Sequence, residues 1–116
     1  MDKRYRIKKN SEIDAIFKLK KVKGDSYFAV YQSDDPQGTN MRFAISIGKK
    51  YGNAVERNLA KRRIRMIVSE LKDQFIKNKL FIIVVKPSVR DLSYSEMKAK
   101  LNLLIQKSKL MENING

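Results

Sequence analysis

The sequence predicts an α+β fold: a two-layer α/β sandwich with helices packed on a small mixed sheet. Three observations carry this. Residues 27–31, YFAVY, are strand formers by residue type, and residues 41–47 alternate in polarity with the period of a strand. Residues 80–85, LFIIVV, form a continuous β-branched-rich run, which suits a strand buried on both faces. Three further stretches place apolar residues at helical spacing. The predicted order is α-β-β-α-β-α. A chain of 116 residues with 42% apolar content makes one domain with a small but real core, so residues 1–116 are read as a single domain.

The elements follow in order. Residues 1–9 are basic and mostly polar and are predicted to form an extended arm. Its charges suit a phosphate backbone, and a frayed terminus fits equally well. A helix is predicted from Asn10 or Ser11, either of which can cap it. Glu12 and Asp14 favour its dipole, and Ile13, Ile16 and Phe17 form its apolar stripe. Lys18, Lys20, Lys21 and Lys23 complement its C-terminal end, and Gly24 terminates it. In the next strand Tyr27, Ala29 and Tyr31 share one face, Phe28 and Val30 the other. DDPQGTN is a turn, with Asp34 and Asp35 in a solvent-facing loop. It joins the strand to MRFAISIG, and the two strands are expected to form a hairpin. Met41, Phe43, Ile45 and Ile47 point one way; Arg42, Ala44 and Ser46 point the other. That second face, with Tyr rings beside it, is either an open groove floor or an ordinary solvated sheet face.

A long helix follows, capped by Asn53 and reaching Lys77 or Asn78. Its core stripe comprises Ala60, Ile64, Ile67, Val68, Leu71 and Phe75. The strand at 80–85 stops at Lys86-Pro87. Strand, helix and strand make a βαβ unit, parallel to residues 41–47 and right-handed by default. Ser93-Tyr94-Ser95-Glu96 is a capping-box pattern. It opens a helix to about Lys109 with Met97, Leu101, Leu104 and Ile105 inward. The tail MENING is expected to fray.

Charge bounds the function. The chain has 26 Lys and Arg against 12 Asp and Glu, a net +14. Such an excess self-repels and suits a polyanionic partner, nucleic acid first and an anionic membrane second. No apolar run reaches the roughly 18 residues of a membrane span. The N-terminal ten residues lack the apolar centre of a secretory signal, which predicts a cytoplasmic protein. There is no Cys and no His, so thiolate or imidazole zinc sites, Cys nucleophiles and His bases are excluded. The acids are scattered, whereas a carboxylate-only metal site needs them clustered, and a protein-based hydrolytic centre is hard to build from this inventory.

The basic excess concentrates in residues 49–65, KKYGNAVERNLAKRRIR, which hold seven cations against Glu56. On a helix of about 100° per residue, Arg57, Lys61, Arg65, Asn58 and Arg62 span an arc of roughly 140° beside the core stripe. Arg63 falls outside it. A solvated face is the ordinary fate of such a run. Here five directional donors on one rigid surface suit an array of phosphate and sugar oxygens better.

In this stretch, Lys49-Lys50-x-Gly52-Asn53-Ala54-Val55 followed by Arg57-Asn58-x-x-Lys61-Arg62-x-x-Arg65 resembles the bacterial ribonuclease P protein subunit. The likeness covers nearly the whole chain, including Arg6-Ile7-Lys8-Lys9, Phe17, Tyr31 and Lys86-Pro87. The resemblance implies a fold akin to domain 2 of ribosomal protein S5, with a left-handed βαβ crossover in place of the default. It also implies a monomeric protein, one per RNA, that binds a large catalytic RNA subunit and precursor tRNA, whose 5′ leader the holoenzyme removes. The RNA coordinates Mg2+ and performs the hydrolysis; the protein supplies no catalytic residue and no metal ligand.

Carried over by position, the RNA-subunit contacts are Arg57, Asn58, Lys61, Arg62 and Arg65, with Lys49 and Lys50. The leader cleft is Ile13, Phe17, Tyr31, Ala44, Ser46 and Lys86. For Phe17, a core position and a place on the cleft wall both stay open. Two positions depart from the family pattern. Leu59 stands where an Arg is usual, and Ile13 where Phe is frequent; Ile cannot stack as a ring does. Three other readings remain: a non-catalytic RNA-binding module such as a ribosomal protein or RNA chaperone, a major-groove DNA binder, and a membrane-surface protein. The last lacks the bulky aromatic anchors of an interfacial helix.

Overall fold

The computed structural model describes residues 3–112. Its elements are α1 (Asn10–Leu19), β1 (Val22–Gly24), β2 (Phe28–Asp34), β3 (Arg42–Ile47), α2 (Ala54–Leu71), β4 (Lys79–Val85) and α3 (Tyr94–Lys107), with short 3-10 turns between some of them. The four strands form one mixed sheet in the order β1-β2-β4-β3.

The apolar run at 80–85 lies inside this sheet. β4 pairs antiparallel with β2 on one edge and parallel with β3 on the other. The parallel βαβ unit is therefore as expected. The hairpin is not: β2 and β3 do not pair, because β4 lies between them. The reason is in β4 itself. A strand that is apolar on both faces gains most where both faces are covered and both edges are hydrogen-bonded.

Alternation along the strands sorts the core into two clusters. Phe28, Val30, Phe43, Phe81, Ile83 and Val85 face α2 and α3. The rings of Phe43 and Phe75 both stack on Phe81, with centroids 5.6 and 5.1 Å away. On the opposite face, Leu80 and Ile82 pack with Ile7 and with Ile16 of α1. In α3, Met97, Leu101, Leu104 and Ile105 are the buried residues, as their spacing predicts, and Ser93 and Glu96 close the expected capping box. Buried Gln32 donates from Nε2 to the Ser108 carbonyl at 2.5 Å, which pins the end of α3 to the sheet.

Several boundaries differ from the sequence reading. α1 has Lys9 as its N-cap with no side-chain cap bond, and neither Asn10 nor Ser11 serves. It stops at Leu19, where Lys20 turns left-handed (φ 56°). Lys21, Val22 and Lys23 then run back along β2, with Val22 opposite Tyr31. This edge strand was hidden in a lysine run too short to show a period. α2 ends at Leu71, not near Lys77. Phe75 stays buried because extended backbone after a 3-10 turn brings its ring under the sheet. The basic arm is tied down: Lys3–Tyr5 is a 3-10 turn, Arg6 bridges Phe43, and the Ile7 amide donates to the Phe43 carbonyl at 3.0 Å. Tyr27 precedes β2 and packs on the α3 side, so it does not share the face of Tyr31. Of the tail, Met111 bridges Phe75; residues 113–116, like 1–2, lie outside the described residues.

Arg42 fastens α1 to the sheet. Its guanidinium donates to both Glu12 oxygens, at 2.8 and 3.2 Å, and reaches Asp35 at 3.4 Å. Asp35 is thus an anchor and not a free loop residue. The hydrogen bond from Arg42 is the main reason the Glu12 carboxyl is held below its ordinary value of 4.5. A depressed folded pKa gives stability that is present above the unfolded pKa and lost as pH falls through the folded one. Glu12→Gln is expected to cost about 1 kcal/mol at neutral pH. Denaturant unfolding should show the gap to the parent closing as pH drops below about 4.5. A gap unchanged between neutral and strongly acidic pH would refute this role.

Candidate nucleic-acid interface

α2 begins with a closed capping box. Asn53 Oδ1 accepts from the Glu56 amide at 2.9 Å, and Glu56 Oε1 accepts from the Asn53 amide at 3.0 Å. A Cβ at Gly52 would sit 2.6 Å from Glu56 Oε1, so a larger residue there must displace the carboxylate that closes the box. The box sets the rotation of the helix. Ala60, Ile64, Ile67, Val68 and Leu71 are buried against the sheet. The adjacent flank carries Arg57, Lys61 and Arg65, half-buried, and Asn58 and Arg62, exposed. Arg57 donates to the Gly52 carbonyl at 3.2 Å. Among the described residues, none of these four cations reaches a carboxylate. Lys49 and Lys50 are exposed in the 3-10 turn before the helix. Arg63 lies on the other flank, beside Tyr51 and the Arg90–Glu56 pair.

The sheet face opposite α2 and α3 is only partly covered. Register places Tyr31, Ile82 and Ala44 in one row and Ala29, Val84 and Ser46 in the next. Ile82, which packs with Ile16 of α1, is 1% exposed, whereas Ala29, Val84 and Ser46 are half-buried. The second row is an open floor of small side chains, and Ile13 and Phe17 of α1 pack beside it. Phe17 is half-buried in the second cluster and sets its ring at a 68° angle to Tyr31, centroids 4.7 Å apart. Lys86 sits where β4 ends, and its ammonium donates to the Asp25 carbonyl.

At the β3 side the floor deepens into a cleft of about 240 Å³. Ile13, Ala44, Lys61 and Arg65 line it, together with Arg6. Arg6 and Arg65 also line a second hollow with Arg62 and Met66. The structure thus joins Ile13 and Ala44 to Lys61 and Arg65 on the basic flank of α2, two sets that the sequence placed separately; Phe17, Tyr31, Ser46 and Lys86 do not line this cleft. It also adds Arg6, which the sequence reading left in a loose arm. Ile7, an apolar residue within that basic stretch, was the signal for docking. Burial first, and the charge of Arg6 second, lower the pKa of the Arg65 guanidinium. It stays charged, and an anion between the two would relieve their repulsion.

A floor of small residues beside an aromatic pair, continuous with cations that reach no carboxylate among the described residues, has the chemistry that suits a polyanion. The family model described as Ribonuclease P matches residues 1–109. The chain belongs to the ribonuclease P protein component family. It is 45% identical over 113 residues to the Ribonuclease P protein component of Acholeplasma laidlawii, covering 97% of this chain and 96% of that one. Against that of Phytoplasma australiense, identity is 41% over 112 residues, covering 90% and 97%. The RNase P protein of Staphylococcus aureus has a similar structure, with a TM-score of 0.87, 30% identity, and 93% and 98% of the two chains covered. As a ribonuclease P protein subunit, the chain presents Leu59 on the outward side of α2, 44% exposed. Its covered part lines a pocket with Tyr51, Ala60 and Met97. Arg63 lines a pocket of about 180 Å³ with Leu59 and Arg90.

Proposed function

We propose that this ribonuclease P subunit binds the catalytic RNA through the basic flank of α2 and holds the 5′ leader of precursor tRNA on the open sheet floor. Arg57, Asn58, Lys61, Arg62 and Arg65, with Lys49 and Lys50, contact the RNA subunit. Ile13, Phe17, Tyr31, Ala44, Ser46 and Lys86 form the leader site. The observation that carries this reading is the shared lining: Lys61 and Arg65 of α2 stand in the same cleft as Ile13 and Ala44. A leader strand on the floor is then next to the RNA subunit on the helix, and the cations between them offset the repulsion of converging phosphates.

Mature tRNA lacks the leader, so the floor adds affinity for precursor only and gives substrate discrimination. The RNA subunit supplies the hydrolysis, with Mg2+ polarising the reacting oxygens. In this reading Mg2+ is held mainly by the RNA. No helix among the described residues is long and apolar enough to cross a membrane. A cytoplasmic monomer, one per RNA, completes the reading.

Reconstitution with the cognate RNA tests it. At Mg2+ concentrations too low for the RNA alone, adding the protein is expected to restore 5′ leader removal. A protein that bound the RNA yet left its Mg2+ requirement unchanged would be an RNA-binding module of another kind.

A further inference from the structure

The lysine run at the end of α1 extends past the helix. Four of the six residues 18–23 are lysine, and all four are exposed. Their sequence position suggests service to the helix dipole, but α1 stops at Leu19. Only Lys18 lies in its last turn, and Lys20 is the left-handed cap. Lys21 and Lys23 flank Val22 on β1, the free edge of the sheet. Among the described residues, none of the four forms an ion pair with a carboxylate within 4 Å. Like charges packed this densely cost free energy unless an anion joins them.

Val22 connects this cluster to the leader floor. It is opposite Tyr31 in register, so its side chain shares the face of Tyr31, Ile82 and Ala44. At 43% exposed, it continues that row to the sheet edge as an uncovered apolar surface. Lys21 and Lys23 alternate to the other face at the rim, and Lys18 and Lys20 stand at the end of α1. Three strand spacings of about 4.8 Å put this edge roughly 14 Å from β3.

We infer that residues 18–23 form a distal extension of the leader site, in which leader nucleotides beyond the Phe17–Tyr31 pair pass over Val22 and their phosphates meet the lysines. This rests on the proposed leader floor. The end of the row at Arg65 adjoins the RNA subunit, where cleavage occurs, so the β1 edge receives the part of the leader farther from the cleaved bond. The partner is single-stranded RNA, recognised by backbone charge and without base sequence.

The test uses reconstituted holoenzyme and precursor tRNAs whose leaders grow one nucleotide at a time. With the parent protein, affinity should rise in two stages: first as the leader fills the floor, then as it reaches the β1 edge. The combined variant Lys18→Gln, Lys21→Gln, Lys23→Gln should keep the first stage and lose the second. For long leaders this is a loss of about tenfold, with the salt slope reduced by about two. Val22→Ser should diminish the second stage and leave the salt slope unchanged. Equal losses on short and long leaders, or a second stage that survives in the lysine variant, would overturn the extension. So would weakened assembly with the RNA subunit alone, which would give these lysines to that RNA. If the parent showed no gain from any leader, the floor itself would be misassigned.

Discussion

Replacing Arg62 and Arg65 together by alanine is expected to weaken assembly with the catalytic RNA by roughly a hundredfold, about 1.4 kcal/mol for each lost charged contact. The salt slope of binding should fall by roughly 1.5 to 2 units, the share of two phosphate contacts. Arg62 is exposed, and neither residue holds a carboxylate of the described chain, so the fold loses little. Removing Arg65 also relieves its repulsion with Arg6, which offsets part of the packing that its half-buried stem loses. A filter-binding or fluorescence titration across salt concentrations reads both quantities. Unchanged affinity with an unchanged slope would remove this flank of α2 from the RNA interface.

Tyr31→Leu should lower affinity for precursor tRNA by about tenfold and leave mature tRNA binding as it was. A stacked base is worth about 1–3 kcal/mol, so a tenfold loss, about 1.4 kcal/mol, is a modest expectation. Leucine is chosen because Tyr31 also packs edge-on against Phe17. An aliphatic side chain keeps much of that packing and removes only the flat ring. A loss shared equally between precursor and mature tRNA would mean that Tyr31 acts through the position of α1 and touches no leader.

The interface was legible to different depths at different residues. The basic flank of α2 was readable because a single helix carries it. Once Asn53 and Glu56 set the start, 3.6 residues per turn place Arg57, Lys61 and Arg65 with no further information. The floor was half-readable. Alternation put Ala44 and Ser46 on one face, but only α1 crossing that face could decide which part stays open. Arg6 was missed because its place depends on the Ile7–Phe43 hydrogen bond, a pairing across 36 residues. Lys86 enters the candidate site through the family resemblance, and its bond to the Asp25 carbonyl depends on a turn that periodicity does not describe.

By itself the sequence determined what is local: the class of each major element, the cap at Asn53 and the capping box at Ser93, the buried stripe of α3, the cationic excess, and the absence of Cys and His. These follow from backbone period, side-chain chemistry and composition, which act within a few residues. Only the tertiary structure decided that β4 separates β2 from β3, that the basic arm docks beside Phe43, and that α1 yields to an edge strand at Leu19. Each of those is a choice among partners distant in the chain. It is settled by which arrangement covers both faces of β4 and satisfies its backbone on both edges, and no short-range pattern carries that sum.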